Sequence, residues 1–174
     1  MFIDICSFTS ITERETPDNT VNLLNKYFDV IVKAIIAHDG YIDKFIGDAV
    51  MAVFKTEYHL DKAIDASLAV RKQIENFPKQ EEASYFLPKV SIGIHSGEMV
   101  SGNIGSASLR RLDYTVIGDV VNTAQRLQGI AKEGQIIISE SSYQQVQESF
   151  NCQKIGEVNL KNKANQLIAH EVVD

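Results

Sequence analysis

The stretch Tyr41-Ile42-Asp43-Lys44-Phe45-Ile46-Gly47-Asp48-Ala49-Val50-Met51-Ala52-Val53-Phe54 places two β-rich runs on either side of a Gly-Asp pair. Gly-Asp between two apolar runs is typical of a tight turn, so we expect a β-hairpin here. Apolar residues recur at helical spacing before it, from about 17 to 39, and after it, from 60 to 76. A hairpin between two amphipathic helices favours an α+β fold.

The rest of the chain adds further β-rich and helical runs. Met1-Phe2-Ile3-Asp4-Ile5-Cys6 is apolar apart from its aspartate, which predicts a buried strand beginning at the first residue. Because a domain rarely begins within a strand, we expect a single domain, 1–174, excised from a longer protein. Gly97, Gly102 and Gly105 indicate a glycine-rich return. Other strands are predicted at 88–95, 111–117, 135–139, 152–158 and 167–173, and helices at 118–131 and 139–149.

Composition excludes several classes of protein. The 174 residues are 44% apolar and 23% charged, which is ordinary for a globular domain with a core. No apolar run approaches the ~20 residues of a membrane span, and no basic leader follows Met1. A formal net charge of −6 disfavours nucleic-acid binding. Two distant cysteines predict neither a disulfide framework nor a thiolate zinc site, so we expect a cytoplasmic protein.

Two carboxylates stand where packing alone would not put them. Asp4 interrupts an apolar strand, and Asp48 occupies the turn of the hydrophobic hairpin. A buried carboxylate is costly unless it is paired or binds a cation. If the fold brings the two together, they could chelate divalent ions such as Mg²⁺, with nucleotide phosphates supplying further ligands. The alternatives are an ion pair for Asp4 and ordinary turn chemistry for Asp48.

Basic and amide side chains supply a second set of candidates. Asn122 and Arg126 lie four residues apart, so both project from one face of the predicted helix and could hold a sugar and a phosphate. Lys44 lies four residues before Asp48 in the hairpin. Solvated surface side chains remain the alternative for all three. Phosphate-binding glycine loops and paired-histidine metalloprotease motifs do not occur in the sequence.

Four segments together resemble the catalytic domain of class III nucleotidyl cyclases over nearly the whole chain. The resemblance implies a ferredoxin-like βαββαβ core with a mixed sheet flanked by helices. The segments, in matching order and spacing, are Phe2-Ile3-Asp4-Ile5-Cys6-Ser7-Phe8-Thr9, Asp43-Lys44-Phe45-Ile46-Gly47-Asp48, Ile92-Gly93-Ile94-His95-Ser96-Gly97, and Tyr114-Thr115-Val116-Ile117-Gly118-Asp119-Val120-Val121-Asn122-Thr123-Ala124-Gln125-Arg126-Leu127.

The resemblance implies a reaction and a metal site. Asp4, Asp48 and the backbone carbonyl of Ile5 would hold two Mg²⁺ ions, for which Mn²⁺ could substitute. The ribose 3′-hydroxyl would attack the α-phosphorus and give a 3′,5′-cyclic nucleotide and pyrophosphate. Asn122 would orient the ribose, and Arg126 would stabilise charge on the reacting phosphate.

Further positions match the family's nucleotide-binding residues. Lys44 and Thr115 match the two that select the base; lysine can donate to adenine N1 and threonine can accept from the exocyclic amine, which implies an ATP site. Threonine there is also similar to a subgroup that responds to bicarbonate. Lys161 matches a phosphate-binding lysine, with Lys163 as the nearby alternative.

The first motif departs from the family at one position, where Ser7 stands in place of the usual glycine. A side chain there could change the local backbone or the fit of the triphosphate, without affecting the metal ligands.

The family's active form is a head-to-tail dimer, which implies a homodimer with sites shared across the interface. We expect the regulatory domain to lie elsewhere on the same full-length chain. The alternatives are a guanylate cyclase and a catalytically silent, cyclase-like module that binds nucleotide or a partner and signals by dimerisation.

Overall fold

A computed structural model describes residues 1–77, 89–106, 111–158 and 166–174. Its elements are β1 (Phe2–Ile5), α1 (Phe8–Thr12), α2 (Pro17–Ala37), β2 (Tyr41–Ile46), β3 (Ala49–Val53), α3 (His59–Glu75), β4 (Val90–Ile94), β5 (Val100–Ser106), β6 (Arg111–Ile117), α4 (Asp119–Ile130), β7 (Ile136–Ser139), α5 (Glu140–Val146), β8 (Cys152–Val158) and β9 (Leu167–Val172).

Seven strands form a mixed sheet in the order β2-β3-β1-β4-β7-β9-β8. The pair β4 and β7 is parallel, and the other neighbours are antiparallel. The first four strands and the helices between them follow the βαββαβ order, with β1 and β4 at the centre. The predicted α+β fold with a ferredoxin-like core is therefore confirmed.

The sheet is covered on both faces because side chains alternate along its strands. Ile3 of β1 packs in one cluster with Ile31 of α2 and Ile64 of α3. Phe2, its neighbour in sequence, packs on the opposite face in a cluster that includes Ala124 of α4. Asp4 follows Phe2 by two residues and therefore lies on the α4 face of the sheet.

Strands β5 and β6 form a separate two-stranded ribbon. The sequence predicted a glycine-rich return in this region; instead Gly102 and Gly105 belong to β5, paired with β6. The prediction was wrong because the partner strand, rather than a hydrophobic pattern, extends these residues. Large apolar side chains stay exposed along the ribbon: Val100, Ile104, Leu112, Tyr114 and Ile117. An apolar surface of this kind is typical of an interaction site.

The long helix α2 begins as the sequence predicts. Pro17 is its first residue, and the side chain of Thr16 accepts a hydrogen bond from the backbone amide of Asn19. The short helix α1 was not predicted. Within the described part of the chain, no helix is long and apolar enough to cross a membrane.

Candidate active site

The register of the sheet brings Asp4 and Asp48 to the same end of neighbouring strands. Asp4 on β1 pairs with Ala49 on β3, and Asp48 directly precedes Ala49 in the hairpin turn. The turn has only two residues, because Ile46 and Ala49 pair across it. Gly47 adopts the φ of +62° in this turn, a conformation that costs glycine little. The separation of 44 residues in sequence is therefore closed by strand pairing.

The electrostatics of this pair favour a bound cation. Burial, and then the nearby charge of Asp48, raise the pKa of Asp4 to about 6 from the usual 3.8. A basic side chain close by would lower that pKa instead. Among the described residues, therefore, no basic side chain offsets the charge of Asp4.

The available oxygen donors fit a divalent metal held jointly with a substrate. Ile5 lies one residue beyond the last paired position of β1 and β3, beside the two carboxylates. Within the described ranges, no group of three or more His, Cys, Asp or Glu side chains could hold a metal alone. Mg²⁺ is commonly bound by one or two carboxylates together with substrate phosphates. Asp4, Asp48 and the Ile5 carbonyl match that type of donor set.

Ser7, two residues after Ile5, adopts a left-handed backbone conformation with φ 61° and ψ 14°. Glycine reaches this region without strain, which explains why a glycine suits this position in the motif. Serine adopts it here as well, and its hydroxyl donates a 3.3 Å hydrogen bond to Oε1 of Glu133. Ser7 is therefore one of the residues with a Cβ that hold a positive φ in this chain.

Lys44 and Thr115 meet at a third residue, Asp43. The Thr115 hydroxyl donates a 2.7 Å hydrogen bond to Oδ2 of Asp43, and the Lys44 ammonium lies 3.4 Å from the same oxygen. The Asp43 side chain is 2% exposed, against 37% for Lys44. Two residues 71 positions apart in the chain are thereby held side by side where β2 meets β6.

Helix α4 carries the other two candidate residues at the surface of the chain. Asn122 is exposed and Arg126 is half-buried, whereas Ala124 and Leu127 face the core. The helix lies very close to β4 at Gly93, where a Cβ would come within 2.1 Å of the Gln128 amide nitrogen and 2.3 Å of the Ala124 carbonyl oxygen. Glycine at that position therefore sets the height of α4 above the sheet.

Direct contacts join only some of the candidate residues. Lys44 and Thr115 meet at Asp43, whereas Asn122 and Arg126 lie on α4. By the role expected of them, Asp4, Ile5 and Asp48 are the metal-binding group, and Lys44, Thr115, Asn122 and Arg126 are the nucleotide-binding group. Lys161 and its neighbour Lys163 lie outside the described residues.

Comparison with known proteins decides the family. The sequence model of the family "Adenylate and Guanylate cyclase catalytic domain" matches residues 1–172. The chain belongs to this family. "Adenylate cyclase 1" of Rhizobium meliloti is 35% identical over 99% of the chain, which spans only 27% of that relative's length.

Solved structures of both kinds of cyclase resemble this cyclase domain. The adenylyl cyclase CyaB from P. aeruginosa matches with a TM-score of 0.91 and 30% identity, covering 99% of this chain and 91% of that one. The guanylate cyclase domain of RhGC from Catenaria anguillulae, in complex with GTP, matches with a TM-score of 0.87 and 27% identity, covering 99% and 93%. Cyclase domains of this class use divalent metal ions and act on nucleotides as dimers.

One residue of the cyclase domain's candidate site was missed by the sequence reasoning. Asp43 lies in the second of the four family-like segments and was assigned no role from the sequence, although it is an acidic residue within a predicted strand, as Asp4 is. The acidic residue within the strand was the available signal. Its contacts depend on a β-bulge in β2, where the register with β3 shifts between Ile42 and Lys44.

Proposed function

We propose that this domain is an adenylate cyclase, which converts ATP to 3′,5′-cyclic AMP and pyrophosphate. The observation that carries the proposal is the convergence of Lys44 and Thr115 on Asp43, in a chain whose Asp4 and Asp48 also converge. An ammonium can donate to adenine N1, and a hydroxyl can accept from the exocyclic amine. Relatives that are named adenylate cyclases, among them that of Rhizobium meliloti, support the same substrate.

The metal-binding half of the site would be Asp4, Asp48 and the Ile5 carbonyl. Two Mg²⁺ ions bound there would supply Lewis acidity to the 3′-hydroxyl and counter-charge to the triphosphate, and Mn²⁺ could replace them. Asp4 and Asp48 supply the fixed negative charge that holds such ions. The raised pKa of Asp4 supports this role, because burial and the charge of Asp48 both disfavour an unpaired carboxylate there.

The remaining residues act on the nucleotide. Asn122 orients the ribose so that its 3′-oxygen is in line with the α-phosphorus, and Arg126 donates to the oxygens on which charge develops. The 3′-oxygen forms the new bond to phosphorus, the bond to the β-phosphate oxygen breaks, and the hydroxyl proton leaves to solvent. Lys161 is proposed to bind the phosphates of the leaving group.

Each site is proposed to lie between two copies of the chain in a head-to-tail homodimer. Asp4 and Asp48 of one copy would face the nucleotide-binding group of the other. The exposed apolar ribbon β5–β6 supports this arrangement. We propose that residues 1–174 form the catalytic domain of a longer cytoplasmic chain with its own regulatory domain, since the curated relative is much longer.

A guanylate cyclase is the second candidate, because a cyclase domain bound to GTP has nearly the same fold. The experiment that separates the two gives the purified domain equal concentrations of ATP and GTP with Mg²⁺ or Mn²⁺ and quantifies both cyclic products by chromatography. Cyclic AMP as the main product supports the proposal. Cyclic GMP as the main product supports the second candidate. If a confirmed dimer forms neither cyclic nucleotide, both candidates are overturned.

A further inference from the structure

Asp43 is the buried acidic residue that holds the two base-selecting candidates. Side chains at consecutive positions of a regular strand point to opposite faces, which would separate Asp43 from Lys44. The β-bulge between Ile42 and Lys44 breaks that alternation and lets both side chains reach the β6 side of the strand. The carboxylate that results is almost completely shielded, at 2% exposure.

The hydrogen bond to Asp43 fixes what Thr115 can offer a ligand. A hydroxyl has one proton to donate and two lone pairs to accept with, and an ionised carboxylate can only accept. The 2.7 Å contact therefore requires Thr115 to donate its proton to Asp43. What remains on the Thr115 oxygen is acceptor capacity alone.

Lys44 has the opposite character, because an ammonium carries donors and no acceptor. Its contact with the same carboxylate oxygen keeps the ammonium close to Thr115. The pair thus presents one acceptor and one donor. Adenine matches this pattern with its amino group and its N1 lone pair, whereas guanine presents the O6 acceptor and the N1–H donor, which is the reverse.

We propose that Asp43 is a positioning residue for base selection: by taking the proton of Thr115 and holding Lys44, it makes the base site select adenine over guanine. The inference rests on the proposed function, because it assumes that Lys44 and Thr115 contact the base. Asp43 acts through these two residues and does not touch the nucleotide.

Asp43→Asn tests the proposal. The amide can donate a hydrogen bond to the Thr115 oxygen, which leaves the proton of the Thr115 hydroxyl free to point toward the base. The ratio of kcat/KM for ATP to that for GTP should fall about 10-fold or more, since a polar group is then left unpaired at the adenine base. The affinity ratio of fluorescent ATP and GTP analogues should fall in the same direction. Asp39→Asn, an exposed acid paired with Lys62 just before β2, is the matched control and should leave both ratios unchanged.

Two further variants separate positioning from folding. Thr115→Ser keeps the hydroxyl and should retain the wild-type ratio. Asp43→Asn combined with Thr115→Val should lower the ratio by less than the product of the two single effects, because one part of the Asp43 effect passes through Thr115. A merely structural role for Asp43 predicts equal losses with ATP and GTP and an unchanged ratio, which would overturn the inference. Failure of both Asp43→Asn and Asp43→Ser to fold would overturn it too. If the wild type forms no cyclic product, the proposed function fails, and the analogue affinities still test Asp43.

Discussion

The negative charge of Asp48 adds to burial in raising the pKa of Asp4 to about 6. The two residues are brought together because β1 pairs with β3 at Asp4 and Ala49. Two carboxylates that repel each other destabilise the metal-free chain, and the same repulsion favours a bound divalent ion. The pair therefore lowers the free energy of unfolding of the metal-free protein and raises its affinity for a divalent cation. Both quantities can be measured.

Asp4→Asn should stabilise the metal-free protein and abolish activity. The pKa of Asp4 in the folded chain lies above the ordinary value of 3.8, so the folded state binds more protons than the unfolded state between about pH 4 and 6. The contribution of Asp4 to the free energy of unfolding is therefore fully present below this pH range and is lost as the pH rises through it. At pH 7 the variant should gain about 1 kcal/mol, because solvent shields this half-buried group.

Thermal melts in EDTA at several pH values check this prediction. The Tm of Asp4→Asn minus that of the wild type should be near zero at pH 4 and rise to about 2 to 4 °C above pH 6. A Tm difference that is the same at every pH would contradict the electrostatic explanation.

Ser7→Gly should stabilise the domain. Ser7 holds a left-handed conformation, which costs a residue with a Cβ about 1 kcal/mol relative to glycine. The hydrogen bond that is lost, to Glu133, is exposed and long. Denaturant unfolding should show a gain of about 1 kcal/mol for Ser7→Gly. The control Ser7→Ala keeps the strain and should show no gain; equal stability of the two variants would refute the strain.

Gly93→Ala should displace α4 and with it Asn122 and Arg126. The added Cβ would overlap the backbone of α4 at Ala124 and Gln128, which cannot move away as a flexible side chain can. We expect a loss of about 1 to 3 kcal/mol in unfolding free energy and a larger loss of kcat than of substrate affinity. Gly129→Ala, in the same helix with open space around it, is the control and should stabilise the protein slightly.

Arg126→Ala should reduce kcat by about 10²- to 10³-fold, because one donor to charge developing in the transition state contributes about 3 to 4 kcal/mol. Steady-state kinetics with ATP and Mn²⁺ measures the change. Arg71→Ala, on α3 and bonded to the carbonyl of Val173, serves as the matched arginine control. Equal losses in both variants would contradict the role proposed for Arg126.

The fold was largely predictable because most elements carry a local signal. The Gly47-Asp48 turn and the start of α2 at Pro17 follow from turn and cap chemistry that acts over a few residues. The helix α1 has only five residues and no side-chain cap, so no such signal marks it. Strand β5 is exposed and rich in glycine, and only its pairing with β6 makes it a strand.

For the candidate site, the sequence indicates candidate residues but not how they are arranged. Asp4 and Asp48 were singled out by polarity, but their proximity depends on a register that no local pattern encodes. Asp43 was missed because a bulge places it, and alternation of polar and apolar residues does not reveal a bulge. Lys44 and Thr115 could be proposed as the base-selecting pair from the family resemblance, whereas the carboxylate that they share became visible only in the structure.

The account depends most on the claim that each active site is completed by two chains. The direct test co-expresses Asp48→Ala with Asn122→Ala, each inactive as a homodimer, and isolates the heterodimer through two different tags. One of its two sites then has an intact metal-binding half and an intact nucleotide-binding half. We predict cyclic AMP formation at about half the wild-type rate per dimer. A pure heterodimer that is as inactive as its parents would contradict the shared site.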